Sequence, residues 1–456
     1  MNKKHKGRVT MNVTQISTNA YGKHVSKAVP TAVYMGGVHT AEKAGAWHSG
    51  FEGFGVALTG SSCWNLMQME AGQRHAFLES IYGKNGLGLT TARLTIGASD
   101  YSAEVYTYDD VPDDMALEHF SIDRDRPYII PVIREVLEIN PDLQIFASPW
   151  SPPGWMKTGG SIAGGFMRRK YLDVYGDYFV KFLQAYAAEG IRIHAVTVQN
   201  EIQTDQKGLM TACIWHPDLE AEFVSILRRK LDAAGLDTRI WFHDYNFNLV
   251  KRVAWMLEEH SDLAKDADGI AFHYYQGAIE ETRPLQEKYP DIPLHFTEAG
   301  PRLYDHYDTD WCKWGIMMSK ALSQGYRSFC GWNLMLDESG GPNVGPFFCG
   351  GLVTRHSQTG DLSYSGQYRA FRHVAPYITP TSRICGLQFS ATGNCMGKYP
   401  KVKPDPQGVL IENEGQTVLL LVNPHTEKAQ VQYCHNGTWY YFELMPETIA
   451  TVIMEA

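Results

Sequence analysis

An apolar strand runs directly into a glutamate at two places in the chain: Ala195-Val196-Thr197-Val198-Gln199-Asn200-Glu201 and Ile292-Pro293-Leu294-His295-Phe296-Thr297-Glu298. In parallel sheets ligands bind outside the carboxyl ends of the strands, so a carboxylate at that point lies where a substrate would bind. If strand–helix repeats fill the chain between the two stretches, both carboxylates lie at the same end of the sheet. The two stretches therefore predict a repeated strand–helix fold with a carboxylate pair at its rim.

The size and composition of the chain limit the classes of protein to consider. It has 456 residues, 44% of them hydrophobic and 42 of them glycine, which favours one domain of roughly 250 to 350 residues plus a smaller one. The net charge is −9, and no Lys/Arg-rich block is long enough for a phosphate-binding stripe, so nucleic acid is not expected as a partner. Aromatic residues make up 12% and include flat platforms suited to sugar faces.

The amino terminus and the cysteines indicate a cellular compartment. Residues 1–8 are basic, but polar residues such as Asn12 and Gln15 follow where a signal peptide needs an apolar run. No stretch of eighteen apolar residues occurs, so we expect no integral membrane segment. The eight cysteines are scattered without a Cys-x-x-Cys pair, and we expect them to be reduced and buried. A cytoplasmic protein is the expectation.

Strand-like and helical patterns alternate between residues 50 and 335. The eight candidate strands are Phe51 to Thr59, Leu89 to Ile96, Leu143 to Pro149, Ile193 to Gln199, Arg239 to His243, Gly269 to Tyr274, Pro293 to Thr297 and Arg327 to Asn333. Helical periodicity separates them, for example at Tyr171-Val174-Tyr175-Tyr178-Phe179-Phe182. Eight strand–helix units are the count of a (β/α)8 TIM barrel, whereas an open doubly wound sheet usually has fewer strands.

The two ends of the chain have a different sequence pattern, made of strand-like segments. From about Ile378 the sequence consists of short strand-like segments, and Asn436-Gly437 between two of them is a hairpin signal. The first 49 residues contain strand-like pieces too few to fold alone. The sequence thus predicts an α/β protein: residues 50–377 form the barrel, and 378–456 form an all-β sandwich side domain that N-terminal strands from 1–49 complete.

Glu201 and Glu298 end the fourth and seventh predicted strands. The plain interpretation of each is a solvated loop carboxylate. The functional interpretation is a pair of catalytic carboxyl groups, the arrangement that hydrolysis of a glycosidic bond requires. Asn200, beside Glu201, offers an amide that can bind a sugar hydroxyl. Two such strand ends in one barrel favour the functional interpretation.

Two charged residues follow or interrupt the second strand. Arg93 lies inside Thr91-Ala92-Arg93-Leu94, and burying an arginine is costly unless it is paired, so we expect it to contact a carboxylate. Pairing with an acid outside the site is the alternative. Asp100 follows the same strand and is either a helix cap or a ligand for sugar hydroxyls at the rim.

Aromatic residues follow three other strands. Trp150 and Trp155 lie on a proline-stiffened loop, and two tryptophans there favour at least one ring that faces a sugar. The sixth strand ends in His273-Tyr274-Tyr275 and the eighth in Trp332-Asn333. Each of these could equally be core packing.

Motifs for other chemistries are missing from the sequence. There is no Gly-x-Gly-x-x-Gly fingerprint, phosphate-binding loop or Gly-x-Ser-x-Gly elbow. The 17 histidines form no cluster with ligand spacing, and His-Glu-x-x-His does not occur. We expect neither a metal nor an organic cofactor.

With these residues in place, the chain resembles glycoside hydrolase family 30, and within it the glucosylceramidase-like branch. The matching strings are Phe51-Glu52-Gly53-Phe54-Gly55, Ala92 to Ser102, Ala147 to Lys157, Gln199-Asn200-Glu201, Phe296-Thr297-Glu298 and Gly331-Trp332-Asn333-Leu334. They fall in register over about residues 50–345, and the β-rich tail is similar to the side domain of the family. The resemblance covers nearly the whole chain.

The resemblance implies a retaining mechanism with Glu201 as acid/base and Glu298 as nucleophile. Asn200 matches the amide that contacts the sugar 2-hydroxyl, and Arg93 and Tyr275 match groups around the nucleophile. The residues that match those holding a terminal glucose are Asp100, Trp150 and Trp332, with His273 nearby. This set implies cleavage of a terminal β-linked glucose from a small glycoside or a glycolipid such as glucosylceramide.

Two departures from the family leave the aglycone open. Tyr274 stands where the family has a tryptophan, and no signal peptide is evident. The alternatives are an endo-β-1,6-glucanase or xylanase, a β-xylosidase or β-fucosidase with another terminal-sugar pocket, and a non-catalytic carbohydrate-binding or effector protein.

Overall fold

The computed structural model of the protein describes residues 11–20, 22, 24–33, 38–391 and 405–455. They form two compact units. One comprises the described parts of Met1–Phe51, Asp308–Gly325 and Gly366–Ala456; the other comprises Glu52–Tyr307 and Tyr326–Ser365. Cys395 and the basic residues 1–8 lie outside the described residues. Six described cysteines are free and buried, and Cys434 is free and exposed.

The strands are numbered in chain order. The N-terminal strands are β1 (Asn12–Thr18), β2 (His24–Ala28), β3 (Thr31–Ala32) and β4 (His39–Ser49). The barrel strands are β5 (Gly53–Ala57), β6 (Thr91–Ile96), β7 (Gln144–Pro149), β8 (Ala195–Thr197), β9 (Arg239–Asn246), β10 (Gly269–His273), β11 (Leu294–Glu298) and β12 (Ser328–Gly331). The remaining strands are β13 (Met335–Leu336), β14 (Val353–Arg355), β15 (Leu362–Tyr364), β16 (Arg383–Ala391), β17 (Gln407–Asn413), β18 (Gln416–Asn423), β19 (Ala429–His435), β20 (Thr438–Leu444) and β21 (Thr448–Glu455).

The helices follow the same order. They are α1 (Gly60–Met67), α2 (Ala71–Tyr82), α3 (Ile129–Ile139), α4 (Leu172–Ala188), α5 (Pro217–Ala233), α6 (Val250–Glu259), α7 (Leu263–Asp266), α8 (Arg283–Lys288), α9 (Trp311–Ser323) and α10 (Gly366–Val374). Short 3-10 turns lie at Gly154–Met156, Thr158–Gly160, Arg169–Tyr171, Gln206–Gly208, Phe247–Leu249, Ile279–Thr282 and Ala375–Tyr377. None of the described helices has the length and hydropathy needed to cross a membrane.

Strands β5 to β12 close into a parallel barrel, which confirms the predicted TIM barrel. Five of the strands each supply a residue to one packed cluster, made of Phe146, Ala195, Trp241, Ala271 and Cys330. Gly55 shows how closely β5 and β6 approach, since a Cβ there would lie 2.5 Å from the Thr91 carbonyl oxygen. In the string Gly53-Phe54-Gly55, Gly55 is therefore required by the close packing of the two strands.

The other unit contains a ten-stranded sheet in the order β2-β1-β21-β18-β17-β16-β4-β19-β20-β3. The described N-terminal strands join the C-terminal ones, so the predicted β side domain is confirmed. All pairs are antiparallel except β19 with β4. Its core consists of aliphatic and aromatic residues such as Leu419, Val431, Phe442 and Val452.

Helix α9 belongs to the unit of the ten-stranded sheet, although it follows a barrel strand in the chain. Its Gly315 faces the sheet so closely that a Cβ there would lie 2.7 Å from Ile449 Cδ1 and 3.1 Å from Val422 Cγ2. A glycine on the helix face lets the backbone approach the sheet. Sequence order alone does not reveal this contact, because it depends on residues more than a hundred positions apart.

Candidate active site

The two strand-ending glutamates lie at the same rim of the barrel. Glu298 is the last residue of β11, while Glu201 lies on the turn after β8, with its amide donating to the Asp244 carbonyl at 3.0 Å. One carboxylate oxygen of Glu201 lies within 4.8 Å of one of Glu298. The side chain of Glu201 is 15% exposed and that of Glu298 is 7% exposed. The rim of the barrel therefore holds a close carboxyl pair.

Arg93 is buried beneath this pair and connects four strand ends. Its Nη1 donates to Glu298 Oε2 at 2.6 Å, and its Nη2 donates to Asn200 Oδ1 at 2.9 Å and to Asp244 Oδ2 at 2.7 Å. The guanidinium also lies 4.9 Å from the centre of the Trp150 ring. A rigid planar fork with several donors suits such a junction, because each N–H is aimed at a fixed partner.

Asp244 is the main residue of the site that the sequence analysis missed. It lies on a bulge in β9: Ala271 pairs with His243 and the next residue, Phe272, pairs with Tyr245, so Asp244 is the extra residue, with φ 44°. Bulges redirect a side chain. The predicted strand ended at His243, three residues before the observed end at Asn246, and so excluded Asp244. The available signal was similar to that for Glu201, a carboxylate shortly after an apolar run, here Ile240-Trp241-Phe242.

The carboxylate of Asp244 is fully buried and accepts four hydrogen bonds. Besides Arg93, the donors are Thr197 Oγ1 at 2.7 Å, Thr297 Oγ1 at 2.7 Å and His273 Nε2 at 2.9 Å. Burial alone would raise its pKa, but Arg93 and His273 hold the pKa of Asp244 well below its usual range. Asp244 is therefore a permanent anion at the base of the site.

His273 lies between the carboxylates. Its Nε2 contacts Asp244, and its Nδ1 lies 3.5 Å from Glu201 Oε1 and 3.9 Å from Glu298 Oε2, without hydrogen-bond geometry. Burial lowers the pKa of His273, but Glu298 and Asp244 outweigh burial and raise it to about 9. The imidazole is thus a second cation beside Arg93 at neutral pH.

Both oxygens of Glu298 have donors. Arg93 binds Oε2, and the Tyr275 hydroxyl donates to Oε1 at 2.8 Å. Burial raises the pKa of the Glu298 carboxyl, and His273 and Arg93 oppose that effect. Burial also raises the pKa of Tyr275 well above its usual range, so the phenol stays a donor. Tyr275 is held in turn by Asn246, whose Oδ1 accepts from the Tyr275 amide at 2.9 Å.

A cavity of about 360 Å³ lies above the two glutamates. Its lining comprises Asp100, Trp150, Asn200, Glu201, Thr204, Gln206, Met210, Tyr245, Asn246, Tyr275, Gln276, Glu298, Arg302, Trp332, Phe347 and Cys349. Seven of the nine predicted site residues are among them. Arg93 and His273 are not, because they lie beneath the carboxylates and contact those instead of the cavity.

The aromatic wall of the cavity is a pair of stacked indoles. The rings of Trp150 and Trp332 lie 5.0 Å apart at 19°. Trp155, on the same loop as Trp150, instead donates its indole N–H to the Asp109 carbonyl at 3.0 Å. Tyr274 is also outside the cavity lining, and its ring stacks on Phe296 at 6.3 Å. Tyr274, which stands where the family has a tryptophan, therefore packs against Phe296 and does not line the cavity.

Asp100 lies on a turn, and no described helix begins there, so it is not a helix cap. Its Oδ1 is buried and has no hydrogen-bond partner among the described residues. Burial raises the pKa of Asp100 well above its usual range, and Glu298 and Glu201 add to the effect. A buried, unsatisfied oxygen on a cavity wall is suited to a polar group of a ligand.

The loops after β11 and β12 extend the cavity wall outward. Arg302 and Cys349 form an antiparallel bridge, and the Leu303 amide donates to the Phe348 carbonyl at 3.2 Å. Tyr304 lies in the turn that follows Arg302. Tyr304 is 74% exposed. The sequence analysis did not predict these residues, since they belong to loops without periodicity.

Glu201, His273 and Glu298 could supply three metal ligands within the described residues. A metal needs a neutral imidazole, whereas the pKa of His273 is about 9. Arg93 and Tyr275 already occupy the Glu298 oxygens. The donor set thus fits a protonated, hydrogen-bonded cluster better than a metal site.

The chain is similar to several known proteins. The model of the glycosyl hydrolase family 30 TIM-barrel domain matches residues 51–361. Putative glucosylceramidase 3 of Caenorhabditis elegans is 33% identical over 313 residues, which cover 64% of this chain and 59% of that protein. Endo-1,6-beta-D-glucanase of Neurospora crassa is 29% identical over 341 residues, with 72% and 70% covered. A solved endo-beta1,6-glucanase has a TM-score of 0.83 at 26% identity, with 97% and 99% covered.

Replacing Asp244 with asparagine should destabilise the barrel strongly. The substitution leaves Arg93 and His273 buried without their shared anion, and breaking a buried pair in this way costs about 3–5 kcal/mol. The measurement is the free energy of unfolding in urea at pH 7. The matched control is Asp237→Asn, which breaks the exposed pair with Arg192 and should cost less than about 1 kcal/mol. Equal losses of unfolding free energy in the two variants would contradict the assignment of Asp244 as the buried anion that Arg93 and His273 share.

Stability should also depend on the charge of His273. Its folded pKa of about 9 exceeds the unfolded value of 6.5, so its contribution is complete below pH 6.5 and is lost as the pH rises through 9. The difference in unfolding free energy between wild type and His273→Gln should therefore shrink by about 3 kcal/mol between pH 6 and pH 9.5. Urea titrations of both proteins across this pH range measure the difference in unfolding free energy. A difference that stays constant with pH would rule out a charged His273.

Proposed function

Because the chain belongs to glycosyl hydrolase family 30, we propose that it is a retaining, exo-acting β-glycosidase that releases terminal β-linked glucose from a glucoside or glucosylceramide. The observation that carries this proposal is the carboxyl pair: Glu201 and Glu298 both line the cavity, with oxygens within 4.8 Å of each other. Retaining glycosidases hold their carboxyl groups about 5–5.5 Å apart, and inverting ones hold them about 6.5–9.5 Å apart.

Glu298 is the nucleophile in this proposal. Arg93 and Tyr275 bind its two oxygens, which fixes the carboxylate at the end of a strand. The carboxylate attacks the anomeric carbon, and the bond from that carbon to the leaving oxygen breaks through an oxocarbenium-like transition state. The product of this step is a covalent glycosyl-enzyme.

Glu201 is the acid/base. It is more exposed than Glu298, so it can reach both the leaving oxygen and an incoming water. Its proton passes to the leaving oxygen in the first step. In the second step it removes a proton from water, which attacks the anomeric carbon and releases the sugar with retained configuration.

The charges of the cluster favour this division of roles. Arg93 and His273 are cations and Asp244 and Glu298 are anions, so the cluster is neutral when Glu201 carries a proton. Ionising Glu201 adds a negative charge at the moment when the sugar ring becomes positive.

The upper part of the cavity accounts for the terminal sugar. The indoles of Trp150 and Trp332 stack on each other and line the cavity, where they offer apolar aromatic surface to a sugar ring. Asp100 and Asn200 supply oxygens and an amide for hydroxyl groups. At about 360 Å³ the cavity is near the lower end of the usual range for ligand pockets, roughly 300–1,000 Å³, which favours one sugar unit over a polymer.

An endo-β-1,6-glucanase is the second candidate, and one feature favours it. Arg302 lines the cavity, Tyr304 two residues further along the chain is exposed, and exposed aromatic rings near a cleft can bind further sugars. The glucanases among the compared proteins support the same possibility. An enzyme of this kind would use the same two glutamates.

Azide should separate the roles of the two glutamates. Glu298→Ala should lose nearly all turnover, because the nucleophile is gone, and should recover with azide to give the inverted glycosyl azide. Glu201→Ala should recover with azide as well, but through the glycosyl-enzyme, giving the retained azide. The anomeric configuration of the two products, read by NMR, tests the assignment. Failure of Glu298→Ala to respond to azide would refute it.

A substrate panel should place glucose first among terminal sugars. The substrates are nitrophenyl β-glucoside, β-xyloside and β-fucoside, glucosylceramide in detergent, and β-1,6-glucan. The expected result is the highest kcat/KM with the glucoside and release of single glucose units, because the cavity accommodates one ring. Internal cuts in β-1,6-glucan, seen as a rapid fall in polymer size, would instead establish the endo-glucanase. Preference for xyloside or fucoside would overturn the assignment of glucose.

A further inference from the structure

Gln206 is a cavity residue that the mechanism has not used. It lies on the loop after β8, five residues beyond Glu201, and its Nε2 donates to Glu201 Oε2 at 2.8 Å. Within the described part of the chain this is the only hydrogen bond recorded for the Glu201 carboxyl group. The other oxygen, Oε1, has His273 Nδ1 at 3.5 Å, without hydrogen-bond geometry.

The backbone around Gln206 is strained. Glu201, Gln206 and Lys207 all have positive φ, at 51°, 49° and 53°. Residues other than glycine adopt this conformation rarely, and it persists only where neighbouring contacts impose it. Here the Gln206 amide donates to Thr204 Oγ1 at 3.1 Å, and the Lys207 amide donates to Asp205 Oδ1 at 2.9 Å.

A buried lysine fixes the end of the same loop. Lys157 Nζ donates to the Ala212 carbonyl at 2.8 Å, to the Ile162 carbonyl at 2.7 Å and to Ser151 Oγ at 2.6 Å. This links the loop after β8 to the loop after β7, which carries Trp150. The strained segment is therefore held from both ends, and its side chain at position 206 is directed at Glu201.

We propose that Gln206 is a positioning residue for the proton transfer by Glu201. The inference rests on the proposed function, since it assumes that Glu201 is the acid/base. The better acceptor of an amide N–H is the carbonyl-type oxygen of a carboxylic acid, so the bond to Oε2 leaves the proton on Oε1. Gln206 thereby fixes both the rotamer of Glu201 and the oxygen that faces the leaving group.

A positioning role predicts losses that depend on the leaving group. Gln206→Leu removes the donor at similar size. With methyl β-glucoside, whose leaving oxygen must be protonated, kcat/KM should fall about 10- to 100-fold, part of the roughly 10²- to 10⁴-fold that general acid catalysis supplies. With 2,4-dinitrophenyl β-glucoside, which departs without a proton, kcat/KM should change less than about threefold. A loss of equal size on both substrates would overturn the proposal.

A second variant guards against a folding defect. Asparagine adopts positive φ more readily than leucine but is one methylene too short to reach Glu201. Gln206→Asn should therefore keep the wild-type Tm and show the same dependence on the leaving group. Wild-type kinetics on methyl β-glucoside in a folded Gln206→Asn protein would refute the positioning role.

Two further variants separate this inference from the proposed function. Gln203→Leu makes the same change at an exposed residue of the same loop and should leave the ratio of the two kcat/KM values unchanged. Glu201→Ala should show the largest dependence on the leaving group. If it shows none, the acid/base assignment itself is wrong. If Glu201→Ala shows it and the Gln206 variants do not, only the role of Gln206 is wrong.

Discussion

The buried guanidinium of Arg93 is the constraint on which the site depends. It is inaccessible to water, yet it contacts Asn200, Asp244 and Glu298, three residues from three different parts of the barrel rim. A buried cation is tolerated only where its donors are matched by acceptors and its charge by anions. The strands must therefore end so that all three side chains meet at one point, and the bulge at Asp244 and the turn at Glu201 are the local solutions to that requirement.

The same arrangement determines the charges of the site. Asp244 is an anion because Arg93 and His273 surround it, and His273 is a cation because carboxylates surround it. With these charges fixed, the proton that the proposed mechanism transfers is the one on Glu201. A site built in this way has its acid/base chemistry set by neighbours that never contact the cavity. Arg93, which the sequence analysis expected to contact a carboxylate, and His273, which it expected near the terminal sugar, both lie beneath the carboxylates.

The sequence predicted the barrel because its eight strands are buried, short and regularly separated by helical periodicity. It also predicted seven cavity residues, since polar or aromatic side chains directly after a strand reach the rim. Asp244 was missed because a bulge adds one residue that no periodic pattern reveals. Arg302, Phe347 and Cys349 were missed because they lie on loops, where only the folded ladder brings them to the cavity. Helix α9 was placed with the barrel because its packing partners are distant in sequence.

The two glutamates are held in different ways, and the difference fits the roles proposed for them. Glu298 ends a regular strand and is bound through both oxygens, as suits a nucleophile that must hold one position relative to the anomeric carbon. Glu201 lies on a turn with positive φ and is about twice as exposed, and among the described residues its carboxyl group receives one amide hydrogen bond. An acid/base must first give a proton to a departing group and then take one from water, so it needs solvent access and one free oxygen. A rigid strand end would deny it both, whereas a strained loop held by distant contacts provides access without losing orientation.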